Sequence, residues 1–323
     1  MSTSTTRGRR ATHLRSSTPN PLHTDGAVLG LRRLIVPTRV GNIVVRTGRE
    51  ADERSSRSAG TVPTVYLHGA AGSWTTWTPL LAASDLGESP LSNVILIDLP
   101  GWGESGDARG IDDVESLSAA IVEVVGALGY SQFSLVGHSL GGLIALDIAS
   151  RFREQTLGVT LISASGIGVI DAIRHPLRGG LALPGFAGML AVMRLLSTWD
   201  AAGRALARGV ARVGLMRAFT APLFASEVDD SAVAAFADEV RPASFAHAAR
   251  IAGEYEVRTW TGIACPVRSV RGSRDVFAGE RDAAQLTELI DDFHEVRVPD
   301  AGHFANIERP DAVLDAMSRQ NSQ

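Results

Sequence analysis

The sequence predicts an α/β fold: a mostly parallel central sheet, helices on both of its faces, and an inserted helical cap. Three observations predict it. Short β-rich runs alternate with helical patterns along most of the chain, and several of those runs are apolar almost without interruption. The alternation then stops between residues 166 and 255. A strand that is apolar throughout has to be covered on both faces, and crossover helices of a parallel sheet do this.

The elements follow in chain order. Residues 1–30 are rich in Ser, Thr, Arg and Pro and are expected to form a disordered tail. Strand candidates at 33–36 and 42–46 flank Gly41 as a hairpin would. Residues 48–60, with Ser55, Ser56 and Ser58, read as a polar loop. Further strands are expected at 64–67, 94–99, 133–136, 159–163, 267–271 and 294–298. Helical patterns cover 114–128, 142–152, 283–290 and 311–318. The Ala-rich and Arg-rich stretch 166–255 is expected as a helical cap between two parts of the core, 31–165 and 256–323. Within it Arg204, Arg208 and Arg212 recur every four residues and share one helix face.

Composition narrows the function classes. The chain has 323 residues, 45% of them apolar and 20% charged, which is ordinary for a globular protein able to bury its own core. A net charge of -4 provides no global basic field, so no nucleic-acid partner is expected. The apolar stretch 179–193 is too short to span a bilayer and contains Pro184. Arg7, Arg9 and Arg10 are not followed by an apolar stretch of the kind a secretory signal needs. The expectation is a cytoplasmic protein without stable membrane insertion. The single cysteine, Cys265, precedes Pro266 in an apolar run and reads as a buried structural thiol. The eight histidines show no metal-ligand spacing, so neither a metal nor a cofactor is expected.

The segment Gly137-His138-Ser139-Leu140-Gly141 contains G-x-S-x-G. In a chain with 33 glycines that pattern alone is near chance. Its context is specific, because an apolar strand runs into it and a helical pattern runs out. Such an elbow exposes a serine hydroxyl at a helix N-terminus, where backbone N–H groups favour a developing anion. Ser139 is therefore the candidate nucleophile. A serine needs a base, and the base needs an orienting acid. His303 and Asp275 each follow a late strand, where open α/β sheets place their sites, and the order Ser, Asp, His fits.

Three more segments complete a pattern: His68-Gly69-Ala70-Ala71-Gly72-Ser73, Asp98-Leu99-Pro100-Gly101-Trp102-Gly103-Glu104-Ser105, and Gly302-His303 followed by Glu308 and Pro310. With them, from about residue 33 to the C-terminus, the chain resembles the α/β-hydrolase superfamily, in its capped branch. The resemblance implies Ser139, Asp275 and His303 as a triad and the backbone N–H groups of Ala70 and Leu140 as oxyanion donors. It implies a small-molecule substrate and gives Asp98 a structural turn. His68 is expected to hold its loop and His138 to support the elbow, and Asp300 lies too close to His303 in sequence to orient it.

Serine at position 139 argues against the epoxide hydrolases and dehalogenases of this superfamily, which carry a carboxylate there. Only Tyr66, Tyr130 and Tyr255 could protonate an epoxide. Leu140 stands where many cofactor-free haloperoxidases carry Trp, and Phe304 where carbon–carbon hydrolases often do, keeping an aromatic wall. The broadest fit is hydrolysis of a carboxylic ester, thioester or lactone of a mostly apolar molecule. The alternatives are carbon–carbon hydrolysis, haloperoxidase-like chemistry, and a catalytically silent ligand-binding homologue. In the cap, Leu181, Leu183, Phe186, Met189, Met193, Leu195, Leu196, Trp199, Phe219 and Phe224 provide lid or core residues. Arg174, Arg178, Arg204 and Arg208 are surface charges or partners for anionic lipid or a substrate carboxylate.

Overall fold

The computed structural model describes residues 20–49, 62–107, 110–199, 202, 205–206, 209–210 and 214–320. Arg7, Arg9, Arg10, the serines 55, 56 and 58, and Arg204, Arg208 and Arg212 lie outside the described residues.

Eight strands form one sheet. β1 (Leu31–Thr38) and β2 (Gly41–Gly48) make an antiparallel hairpin that turns at Gly41, where φ is 117°. β2 also runs antiparallel to β4 (Val94–Ile97). From β4 onward every pairing is parallel, through β3 (Thr64–Leu67), β5 (Phe133–His138), β6 (Thr156–Ile162), β7 (Val267–Gly272) and β8 (Phe293–Val298). The spatial order is β1-β2-β4-β3-β5-β6-β7-β8. The chain thus winds outward in one direction through β4 and in the other from β5, and the switch point lies between β3 and β5. Ligand crevices of open α/β sheets form at such points.

β4 shows why the sheet is covered on both sides. All four of its residues are buried. Val94 and Leu96 point into a cluster with Leu80 and Leu81 of α1 (Thr78–Ser84) and Val313 and Ala316 of the last helix, 310–320. Ile95 and Ile97 point the other way, into the larger core with α2 (Val114–Ala127) and α3 (Leu140–Arg151). That is strand periodicity with both faces apolar. The first turn of α2 is capped by the Asp113 carboxylate, which accepts from Ser116 N at 2.7 Å.

Between β6 and β7 the described residues hold helices and no strand. These are α4 (Ile167–Arg174), α5 (Pro176–Ala182), α6 (Pro184–Ser197), α7 (Leu215–Thr220), α8 (Asp230–Asp238) and α9 (Pro242–Glu254). Pro176, Pro184 and Pro242 each sit in a first turn, where the missing N–H costs no helical hydrogen bond. After β7 come α10 (Glu280–Leu289), β8, α11 (Ala305–Glu308) and α12 (Pro310–Gln320).

Three expectations change. Residues 20–30 are not a disordered tail. Leu22 and Leu29 are buried, and Asn20 Nδ2, Leu22 N and His23 N donate to Ile307 O, Ser231 Oγ and Thr78 Oγ1 at 3.2, 2.8 and 2.9 Å. Their polar composition hid two leucines that find apolar grooves. Cys265 is half-buried rather than buried. α3 begins at Leu140, two residues earlier than the pattern suggested, because the chain leaves Ser139 directly into the helix.

A Cβ on Gly141 would penetrate the carbonyl of Leu67, which is backbone and cannot move aside. Gly141→Ala is expected to lower the free energy of unfolding by about 3 kcal/mol, measured by urea titration.

Candidate active site

Ser139 sits between β5 and α3 with φ 51° and ψ -119°. A non-glycine residue there is strained, and its surroundings hold it by its backbone. Its N–H donates to Ile162 O at 3.3 Å, while its carbonyl accepts from Gly142 N at 2.9 Å and Ser165 N at 3.0 Å. The Ser139 and Ser165 hydroxyls lie 3.2 Å apart. Leu67 of β3 is level with Gly137 of β5, so the Ala70 loop and the elbow leave the sheet together. Leu140, the first residue of α3, has an N–H that the helix itself cannot use. The indole Nε1–H of Trp102 donates to Ala70 O at 3.0 Å and steadies that loop.

β7 and β8 do the same for the other two residues. Gly272 is level with Val298, so the loops carrying Asp275 and His303 emerge side by side. The His303 Nδ1–Asp275 Oδ1 distance is 3.0 Å, and both side chains are buried. An ionised carboxylate only accepts, so Nδ1 carries the proton and Nε2 is left basic. Asp275 Oδ1 also accepts from the N–H groups of Phe277 at 2.9 Å and Ala278 at 3.2 Å. Burial pushes the Asp275 carboxyl up, but the His303 charge and the hydrogen bonds from His303 and Phe277 N outweigh it and hold the group below its ordinary value. Neither Asp98 nor Asp300 takes this place. Asp98 is paired with Arg46 at 3.4 Å, and Asp300 with Arg274 at 3.3 Å.

The two neighbouring histidines are neutral. Burial lowers His68 to about 4, and its Nε2 accepts from Leu99 N at 3.0 Å while Nδ1 donates to Gly69 O at 2.8 Å. The ring therefore ties the loop after β3 to the loop after β4. Burial, followed by the His303 charge, lowers His138 to about 3; its Nε2 donates to His303 O at 3.0 Å. Glu308 has a larger part than its motif position suggested. Oε1 accepts from Gly302 N at 2.7 Å, and Oε2 from Ala225 N and Ser226 N at 2.7 and 3.1 Å. His303 N donates to Leu223 O at 2.8 Å. One carboxylate thus joins the His303 loop to the segment after α7.

A cavity of about 530 Å³, counting its open mouth, reaches Ser139, Ala70 and Leu140. Its walls are apolar side chains of α3, α4, α6 and α9, with Phe277 beside them. Phe277 stands edge-on to the His303 ring at 4.8 Å between centroids. Among the described lining residues none is charged, and Ser139 and Ser165 are the only polar ones. Of the apolar residues expected to form a lid, Phe186 and Met189 line the cavity. Leu181, Leu195, Trp199 and Phe219 are exposed, and Phe224 stacks on Phe304 at 5.3 Å. Phe304 is not a cavity wall; it packs against Phe224, Phe236 and His138. Tyr66 packs on Trp77, Tyr130 Oη donates to Asn93 Oδ1 at 3.0 Å, and Tyr255 Oη donates to Asp147 Oδ1 at 2.9 Å. None of the three tyrosines lines the cavity.

The model of the alpha/beta hydrolase family matches residues 64–316. The chain belongs to that family. It is 33% identical over 112 residues to the dihydrolipoyllysine-residue acetyltransferase component of the acetoin cleaving system of Pseudomonas putida. That match covers 34% of this chain and 28% of the relative, so the chain spans little more than a quarter of the length of that protein. Two solved structures show the shared fold. An epoxide hydrolase aligns with a TM-score of 0.68 at 18% identity, covering 90% of this chain and 99% of its own. An esterase of Thermogutta terrifontis aligns with a TM-score of 0.63 at 19% identity, covering 90% and 98%.

Asp98 offers a pH test. Burial raises its carboxyl to about 6, against hydrogen bonds from Trp74 N and Glu104 N and the charge of Arg46. A raised carboxyl pKa means the folded protein binds the proton more tightly, so this group's stabilising contribution is full below pH 4 and is lost as pH rises to about 6. Relative to Asp98→Asn, the wild type is expected to lose on the order of 2–3 kcal/mol between those limits, read by urea unfolding at each pH.

Proposed function

We propose that this α/β hydrolase is a serine hydrolase of uncharged, mostly apolar carboxylic esters, acting through an acyl-enzyme. The observation that carries the reading is the buried His303–Asp275 contact of 3.0 Å, which leaves Nε2 basic. A cavity without a charged side chain opens on Ser139 and suits an uncharged substrate. In this mechanism Ser139 Oγ attacks the ester carbonyl as His303 Nε2 takes its proton. The carbonyl oxygen becomes negative, and the N–H groups of Ala70 and Leu140 stabilise it. The tetrahedral intermediate collapses, the C–O bond to the alcohol breaks, and the imidazolium returns the proton to the leaving oxygen. Water, deprotonated by the same Nε2, attacks the acyl-serine; the second intermediate releases the acid and restores Ser139. Asp275 keeps the proton on Nδ1 and stabilises the transient imidazolium. The helices between β6 and β7 act as the cap that selects the acyl part.

The serine reading is favoured over a carboxylate-nucleophile mechanism because no tyrosine lines the cavity to protonate a ring oxygen. A fluorophosphonate probe is expected to label the wild type and not Ser139→Ala. Asp275→Asn is expected to reduce kcat on p-nitrophenyl butyrate by roughly 10³–10⁴-fold with little change in KM. An unlabelled native protein overturns the proposal.

The wall formed by Ala248, Ala249 and Ala252 sets acyl length in this reading. Ala252→Phe fills that end of the cavity. It is expected to raise KM for octanoyl esters on the order of tenfold and to leave acetyl-ester turnover unchanged, checked over a series of graded acyl lengths.

A further inference from the structure

α6 is apolar on both sides. Toward the protein, Phe186 and Leu190 are buried, and Met189 lines the cavity. Toward solvent, Val192 and Leu195, three residues apart, are exposed, and so is Trp199 in the turn just past the helix. Among its fourteen residues Arg194 is the one charge. A helix that is apolar all round belongs in an apolar surrounding on both sides, and here one side has none. α5 packs beside it, with Gly180 facing Ala187. α5 presents Leu177 and Leu181, one helical turn apart and 91% and 88% exposed. Isolated exposed leucines are unremarkable, but two adjoining helices with apolar outer faces form a patch that calls for a partner.

Charge points to the kind of partner. Residues 172–199, which hold both helices, contain Arg174, Arg178 and Arg194 and no acid, although Arg178 pairs with Asp171 just before them. That span carries +3 in a chain of net -4, which leaves -7 on the rest. Apolar residues interleaved with arginine, almost without acids, suit an anionic lipid surface: the apolar faces enter the boundary layer and the guanidinium groups meet the phosphates. A second copy is the poorer fit. A two-fold contact through this face would set one acid-free cationic span against another.

We propose that the α5–α6 face docks the protein on anionic lipid surfaces, lying on the membrane and not crossing it. Among the described residues no helix is long and apolar enough to cross one.

The test is co-sedimentation of the full chain with phosphatidylcholine vesicles and with vesicles of equal parts phosphatidylcholine and phosphatidylglycerol. The protein is expected to sediment with the anionic vesicles, to do so less as salt rises, and to stay in solution with the neutral ones. The double variant Leu181→Glu/Leu195→Glu is expected to bind on the order of tenfold more weakly, and Arg194→Glu severalfold, with the wild-type thermal midpoint in both. Fluorescence supplies a second readout: the difference between wild type and Trp199→Phe is expected to shift to the blue on anionic vesicles. Three results would overturn the proposal. They are no sedimentation with anionic vesicles, binding that the double variant leaves unchanged, or a wild-type dimer by light scattering that Leu195→Glu dissolves. The last assigns the face to a second copy. None of these readouts needs turnover at Ser139.

Discussion

The close approach of α3 to β3 is the contact on which the candidate site depends. Gly141 lets the helix begin against the carbonyl of Leu67, and Gly137 lets the strand pass under the first turn of the same helix. A side chain at either place would push α3 away from the sheet. With the helix held close, the chain must turn from strand to helix in one residue, and that residue, Ser139, is driven to φ 51°. The strain is borne by the rigid surroundings rather than relieved, as at other tight turns that present a reactive group. The same approach sets Leu140 and the Ala70 loop around one cavity.

The other half of the site is held by backbone contacts too, with a different clamp. Gly272 leaves room for the carbonyls of Ala301 and Gly302, so the two loops beyond β7 and β8 can touch. Glu308 then fixes Gly302 and the chain after α7 together. Polar groups buried here are sorted by what surrounds them. His68 and His138 are kept neutral by burial and act as hydrogen-bonding struts. Asp98, driven up by burial, is held among backbone N–H groups and the Arg46 guanidinium, which also bridges to Glu104. Asp275 alone among these has its carboxyl lowered, because His303 and the N–H groups of Phe277 and Ala278 converge on it. A fixed anion beside Nδ1 is what an imidazole needs if it is to take a proton at Nε2.

How much of this was legible in the sequence depended on whether a residue acts through local pattern or through distant contact. The strands were legible because burial on both faces leaves continuous apolar runs, as in Val94-Ile95-Leu96-Ile97. The positions of Ser139, Asp275 and His303 were legible because a parallel sheet sends its strand ends to one edge. Ser165, 3.2 Å from the Ser139 hydroxyl, was not, since an ordinary serine after a strand carries no signal. Glu308 stood in a motif, but its partners Ala225 and Ser226 lie more than eighty residues away. Phe304 misled because an aromatic next to the base suggests a wall, whereas Phe224 and Phe236 draw it into their own cluster. Leu22 was lost in a polar stretch because one buried side chain does not alter composition.

The two proposals meet at α6. On its inner side Phe186 and Met189 bound a cavity without charge, which favours molecules that water holds poorly. Molecules of that kind partition into lipid surfaces, where their local concentration exceeds that in bulk water. A helix whose outer face enters the same boundary would bring the mouth of the cavity to its substrate reservoir. The burial terms on the two sides of α6 are then related in origin, since both follow from apolar side chains leaving water. Arg178 and Arg194 fit the same arrangement. They stand on α5 and α6 and do not line the cavity, so they can meet phosphate groups without putting an unpaired cation beside an uncharged ester.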